Sequence, residues 1–149
     1  MSASTPLPSL FGRFTSILQE HDRLGKTMRR LRAMCVALDE ARTPLPAELA
    51  PAHLLTDLCA DLAEHFAAEE AEEYFGTVVD EAPALGSQIA RLKREHVVML
   101  TAAEMLEQLA MDESRWSQLP SPTRELVAQF ERHERAESTL LRQLFSVQP

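Results

Sequence analysis

Cysteine is almost missing from this 149-residue chain: there are two, Cys35 and Cys59, and they do not form a C-x-x-C pair. Two isolated thiols cannot make a disulfide framework and lack the spacing of a zinc ribbon or a redox dithiol, so both read as reduced core residues. Glycine is scarce too, with four residues in all. No glycine-rich phosphate loop and no Gly-x-Ser-x-Gly elbow is present, which removes nucleotide-cradling and serine-hydrolase chemistry. Aromatic residues are 5% of the chain, and no segment shows the two-residue alternation that would specify a half-buried strand.

Positive charge is also in short supply. Lysine and arginine number 15 against 23 acidic residues, for a net charge of −8. That balance opposes nucleic acid backbones and acidic lipid surfaces, and the densest basic stretch, Met28-Arg29-Arg30-Leu31-Arg32, is interleaved with apolar residues at helical spacing. No nucleic acid partner is expected. No run approaches the roughly 18–20 consecutive apolar residues of a membrane span, and Met1–Pro8 has neither a basic segment nor an apolar one. The expectation is a cytoplasmic protein without a membrane partner.

What the chain does have is helical periodicity. After a tail over residues 1–8, Ser9 is placed to cap a first helix with the stripe Phe14, Ile17, Leu18, His21, Leu24, Met28, Leu31, Cys35 and Leu38. Thr43-Pro44-Leu45-Pro46 ends it. A second helix from Pro51 carries Leu55, Leu58, Leu62, His65 and Glu69 on one face and stops at Gly76, a natural left-handed terminator. The third starts at Pro83 with Leu85, Ile89, Leu92, His96, Met99, Leu100, Ala103 and Leu106. A loop over Asp112–Pro120 holds Trp116, expected to pack over one end of the core. Ser121-Pro122 then reads as cap and first turn of a fourth helix with Leu126, Phe130, His133, Glu137, Leu140, Leu141 and Leu144 facing inwards. Four long helices with short connections make an all-α, up-down-up-down four-helix bundle over residues 9–149, a single domain.

Four of the five histidines fall on these inward stripes. Ser9, Phe75, Pro83 and Phe145 mark one end of such a bundle, and His21, His65, His96 and His133 lie 12, 10, 13 and 12 residues inwards from them. At about 1.5 Å per residue those depths agree to within roughly one turn. Glu69 and Glu137 each follow a histidine by four residues, so each shares its helix face one turn nearer that end, and the two helices are diagonal in the bundle. A lone histidine on an apolar stripe is usually a hydrogen-bonded core residue. Four imidazoles and two carboxylates in one layer need cationic partners, and metal ions supply them. Two carboxylates able to bridge suggest two ions, and imidazole with carboxylate suits iron, manganese or zinc. His53 is too far along its helix to join this layer. Of the acidic run Glu69-Glu70-Ala71-Glu72-Glu73, all but Glu69 read as a solvated face.

The ordered set His21, His65-x3-Glu69, His96 and His133-x3-Glu137 resembles the hemerythrin-like, or HHE cation-binding, family from the first helix to the fourth. The resemblance implies a non-heme di-iron centre with Glu69 and Glu137 bridging, His21 and His65 on one iron, and His96 and His133 on the other. Oxygen-carrying hemerythrins have a further histidine one turn after the third-helix one, and here that place is Leu100. The remaining set is similar to that of hemerythrin-like iron and oxygen sensors. The expected function is binding of, or response to, oxygen, peroxide or nitric oxide, as a sensor or scavenger, alone, as a homodimer or with a protein partner. The alternatives are a ferroxidase or peroxidase, which ferritin-like sites build with more carboxylates, and a domain stapled structurally by metal.

Overall fold

The computed structural model describes residues 7–146, and the side chains of 7–14, Ser16, Glu72, Glu73, Phe145 and Ser146 stand outside that description. Five α-helices follow one another among the described residues, α1 Leu7–Asp39, α2 Pro51–Glu70, α3 Thr77–Glu81, α4 Gly86–Ala110 and α5 Pro120–Ser146, with no strand. The four long ones form the all-α bundle that the periodicity predicts. Helix α1 packs against α2 and α5, and α4 packs against the same two, so α1 and α4 form one diagonal and α2 and α5 the other. No helix among the described residues is long and apolar enough to cross a membrane.

The helix ends depart from expectation in instructive ways. Most of the expected tail is outside the described residues, but α1 is helical from Leu7, so Ser9 lies inside its first turns rather than capping it. At the other end α1 stops at Asp39, before the prolines. Ala41 takes a left-handed conformation, φ 52°, and the Arg42 amide reaches back to the Ala37 carbonyl at 3.0 Å. That closure satisfies a terminal carbonyl without glycine. Helix α5 begins at Pro120, which places Ser121 and Pro122 within the first turn. Proline suits such a position because no intrahelical partner exists there for an amide.

Gly76 does not terminate the second helix. The backbone extends at Ala71, ψ 147°, and re-enters through a π-helical turn, Glu72–Gly76, that leads directly into α3, with Gly76 itself right-handed. The wide turn lets two consecutive aromatics, Tyr74 and Phe75, both bury at 1% exposure and stack at 5.2 Å. A π-helical turn carries more residues per turn than an α-helix, so it shifts the side chains that follow round the axis relative to the α2 stripe.

The core is divided. On one side of the histidine layer lies a large apolar cluster including Leu24, Leu31, Leu55, Leu58, Leu62, Phe66, Met99 and Phe130. On the other lies a smaller one with Ile17, Tyr74, Phe75, Val78, Ile89, Leu92 and Leu140. Trp116, in a 3₁₀ turn over Glu113–Gln118, packs against the larger cluster and donates its indole N–H to the Ala110 carbonyl at 2.8 Å. Among the described side chains of the α1 stripe, Leu18 is the exposed exception at 45%, and Phe14 lies outside the description. Cys35 is buried and Cys59 half-buried, and neither is in a disulfide.

Candidate metal centre

Between the two apolar clusters the bundle buries His65, Glu69, His96, His133 and Glu137, with exposures of 2% or less. His21 completes the layer from α1 with 13% of its side chain exposed. All six residues singled out from the sequence meet here. His53 stands apart on the surface.

The geometry falls into two halves. The His21 and His65 rings lie edge to face at 4.5 Å, and His96 and His133 lie 4.8 Å apart. Glu69 spans both halves: Oε1 is 3.3 Å from His65 Nε2 and 3.4 Å from His96 Nε2, and Oε2 is 3.9 Å from His21 Nε2. Glu137 reaches across in the same way, its Oε2 at 3.7 Å from His21 Nε2 and 3.9 Å from His133 Nε2. The carboxylates come from the diagonal helices α2 and α5, so each approaches the axis from the opposite side. Two groups of three potential ligand atoms are compact enough to hold a cation, His21 with His65 and Glu69, and Glu69 with His96 and His133.

The electrostatics show what the protein chain alone leaves unresolved. His65 Nε2, both oxygens of Glu69 and Glu137 Oε2 are buried without a hydrogen-bond partner. Uncompensated, each such atom carries a desolvation cost. Burial first, and then the neighbouring Glu137, push Glu69 well above the usual carboxylate range. Burial acts on Glu137 in the same direction but is outweighed by Glu69, His21, Tyr74 and His133, which leave it below that range. Two facing buried carboxylates cannot both ionise cheaply without a cation between them. Burial also lowers His21 to about 4 and His96 to about 3, the latter with help from His133. Neutral imidazoles are what a metal ion requires. The unpartnered atoms and this donor set therefore fit bound metal.

Several residues near the site escaped the sequence reading. Tyr74 donates its buried hydroxyl to Glu137 Oε1 at 2.9 Å. Phe66 stacks on His96 with centroids 3.9 Å apart and an 8° interplanar angle, and meets His133 edge-on. Glu70, expected to be only a solvated residue, accepts a hydrogen bond from His96 Nδ1 at 2.9 Å while remaining 41% exposed. The signal for Tyr74 was its position as the one tyrosine just past Glu69. For Glu70 nothing in helical spacing pointed to α4. Leu100, one turn beyond His96, is half-buried against the larger apolar cluster.

A four-helix bundle with a buried layer of four histidines and two glutamates defines a helical cation-binding domain. The chain matches the model of the hemerythrin HHE cation binding domain over residues 13–145, nearly its whole length, and it belongs to that family. Comparisons with curated proteins and with solved structures each found no match.

Proposed function

We propose that this cation-binding domain is a non-heme di-iron protein that binds or responds to oxygen, peroxide or nitric oxide, serving as a sensor or scavenger. The observation that carries the reading is the pair of buried triads sharing Glu69, with unpartnered imidazole and carboxylate atoms converging from both sides. His21 and His65 would hold one iron and His96 and His133 the other, with Glu69 and Glu137 shared, since each carboxylate faces histidines of both halves. Bound iron would supply one-electron chemistry and affinity for small ligands. The protein would contribute the imidazole nitrogens, apolar clusters on either side and two carboxylates that each face both halves of the layer. Four nitrogens against two carboxylates is a donor balance different from the carboxylate-rich ferroxidase pattern, which favours binding over turnover. His21, the least buried member, marks the side of the layer nearest to solvent and to an arriving small ligand. The two unpaired thiols suit a reducing cytoplasm.

The test is metal content per chain after anaerobic loading with iron(II), with absorption spectra taken before and after air. Two irons and a new ligand-to-metal band on oxygenation are expected. One zinc, two manganese ions in preference to iron, or no metal would overturn the iron assignment, and an unchanged spectrum on oxygenation would overturn the oxygen-responsive role.

A further inference from the structure

Each inward-facing histidine has a second nitrogen, and those nitrogens point outwards to carboxylates in a regular order. His65 Nδ1 on α2 lies 2.7 Å from Glu20 Oε2 on α1. His96 Nδ1 on α4 lies 2.9 Å from Glu70 Oε2 on α2. His133 Nδ1 on α5 lies 3.0 Å from Glu95 Oε1 on α4. His21 Nδ1 on α1 faces Glu134 Oε1 on α5 at 3.9 Å. Every helix of the bundle thus offers one glutamate to the histidine of the next helix round the ring, and the fourth pair closes the circle. Three of the links are hydrogen bonds. The fourth is open, and Glu134 Oε1 is a buried oxygen without a partner.

We infer that Glu20, Glu70, Glu95 and Glu134 are positioning residues that each accept a hydrogen bond from Nδ1–H of the next helix's histidine and so hold the four Nε2 atoms towards the metals, Glu134 engaging His21 in the metal-loaded protein. The inference rests on the reading of the four histidines as ligands. A carboxylate on one ring nitrogen fixes both the tautomer and the rotation of the imidazole, leaving the other nitrogen as the free electron pair. Because donor and acceptor sit on different helices at every link, the same four bonds tie the orientation of each ligand to the packing of its neighbour. The glutamates are themselves only partly buried: Glu20, Glu95 and Glu134 have side-chain exposures of 23%, 27% and 29%. Arg91 Nε adds a partner for Glu95 Oε2 at 3.7 Å.

The test uses the full chain loaded with zinc(II), a diamagnetic probe, in the wild type and in single Glu→Ala and Glu→Gln variants at the four positions. Chelator competition gives the affinity, and proton–nitrogen NMR of the imidazoles reports Nδ1–H protons protected from exchange. Four protected Nδ1–H resonances are expected in the wild type. Each Glu→Ala should remove one of them, that of its own partner histidine, and weaken zinc binding by about 10–100-fold. Each Glu→Gln keeps an acceptor oxygen, so it should retain the resonance and most of the affinity. Three resonances with a silent Glu134→Ala, unchanged affinity across the Ala series, or Gln variants as damaged as Ala variants would each overturn the ring. A wild type that takes up no zinc would overturn the ligand reading beneath it, a failure distinct from wild-type binding that the variants leave unchanged.

Discussion

The Nε2 atoms of His96 and His133 lie 3.1 Å apart while their Nδ1 atoms face Glu70 and Glu95. In the metal-free chain the two Nε2 atoms are within hydrogen-bond distance of each other, one donating and one accepting. With both Nδ1–H groups given to carboxylates, both Nε2 atoms would become acceptors and a cation would take the place of the shared proton. His133→Ala and His65→Ala each remove one such nitrogen from opposite halves of the layer. Both variants are expected to lose metal stoichiometry while far-ultraviolet circular dichroism stays near wild type, since the apolar clusters on either side are untouched. Full metal occupancy in both variants would refute the assignment.

The Tyr74 hydroxyl is the hydrogen bond that occupies Glu137 Oε1. Burial, followed by the charges of Glu137 and Glu69, holds its phenol far above the ordinary tyrosine range, so it is a donor at any working pH. Tyr74→Phe keeps the ring stacked on Phe75 but leaves a buried carboxylate oxygen bare. The metal-free variant is expected to be less stable by about 1–3 kcal/mol in denaturant melts. Metal stoichiometry should remain at the wild-type value, because no proposed ligand is removed.

Phe66 is the floor between the metal layer and the larger apolar cluster, touching His65, His96 and His133. Phe66→Ala opens a cavity against three proposed ligands and is expected to cost roughly 3–5 kcal/mol. Leu58→Ala, in the same cluster and equally buried, should cost about 2–5 kcal/mol without touching the layer. Chelator titration separates the two. Phe66→Ala should weaken metal binding measurably and Leu58→Ala should not.

The bundle and the six inward residues were legible because both depend on one repeating quantity, the 3.6-residue period that put His65 with Glu69 and His133 with Glu137 on shared faces. What could not be read depends on something else. The π-helical turn that buries Tyr74 together with Phe75 breaks that period, and Gly76 inside it looked like a stop signal. The glutamate ring joins residues on different helices, so spacing along one helix says nothing of it. Its one trace is adjacency, Glu20 beside His21, Glu95 beside His96 and Glu134 beside His133, and even there each glutamate serves a different helix's histidine. Helix ends moved by a few residues at Ser9, Pro44 and Ser121, where helices fray and the last turns are set by local backbone closure.

The pH dependence of the metal-free protein follows from opposing contributions. His21 and His96 are held at about 4 and about 3, below the ordinary 6.5. Below pH 6.5 the unfolded chain takes up protons that the native state refuses, so stability should fall as pH drops from 6.5 towards 4. Glu69 acts the other way. Its pKa is raised, by burial first and then by Glu137, so its contribution is fully present below about 4.5 and is lost as pH rises. Glu69→Gln keeps the shape without the charge and removes that opposing contribution. The metal-free variant should therefore melt at a higher temperature than the wild type at pH 7, with the gap closing as pH approaches 4.5, while its metal binding is weakened at every pH. Thermal melts of both proteins across pH 4–7 decide the matter: a gap that does not change with pH would show that Glu69 is not the carboxyl whose ionisation the native state opposes.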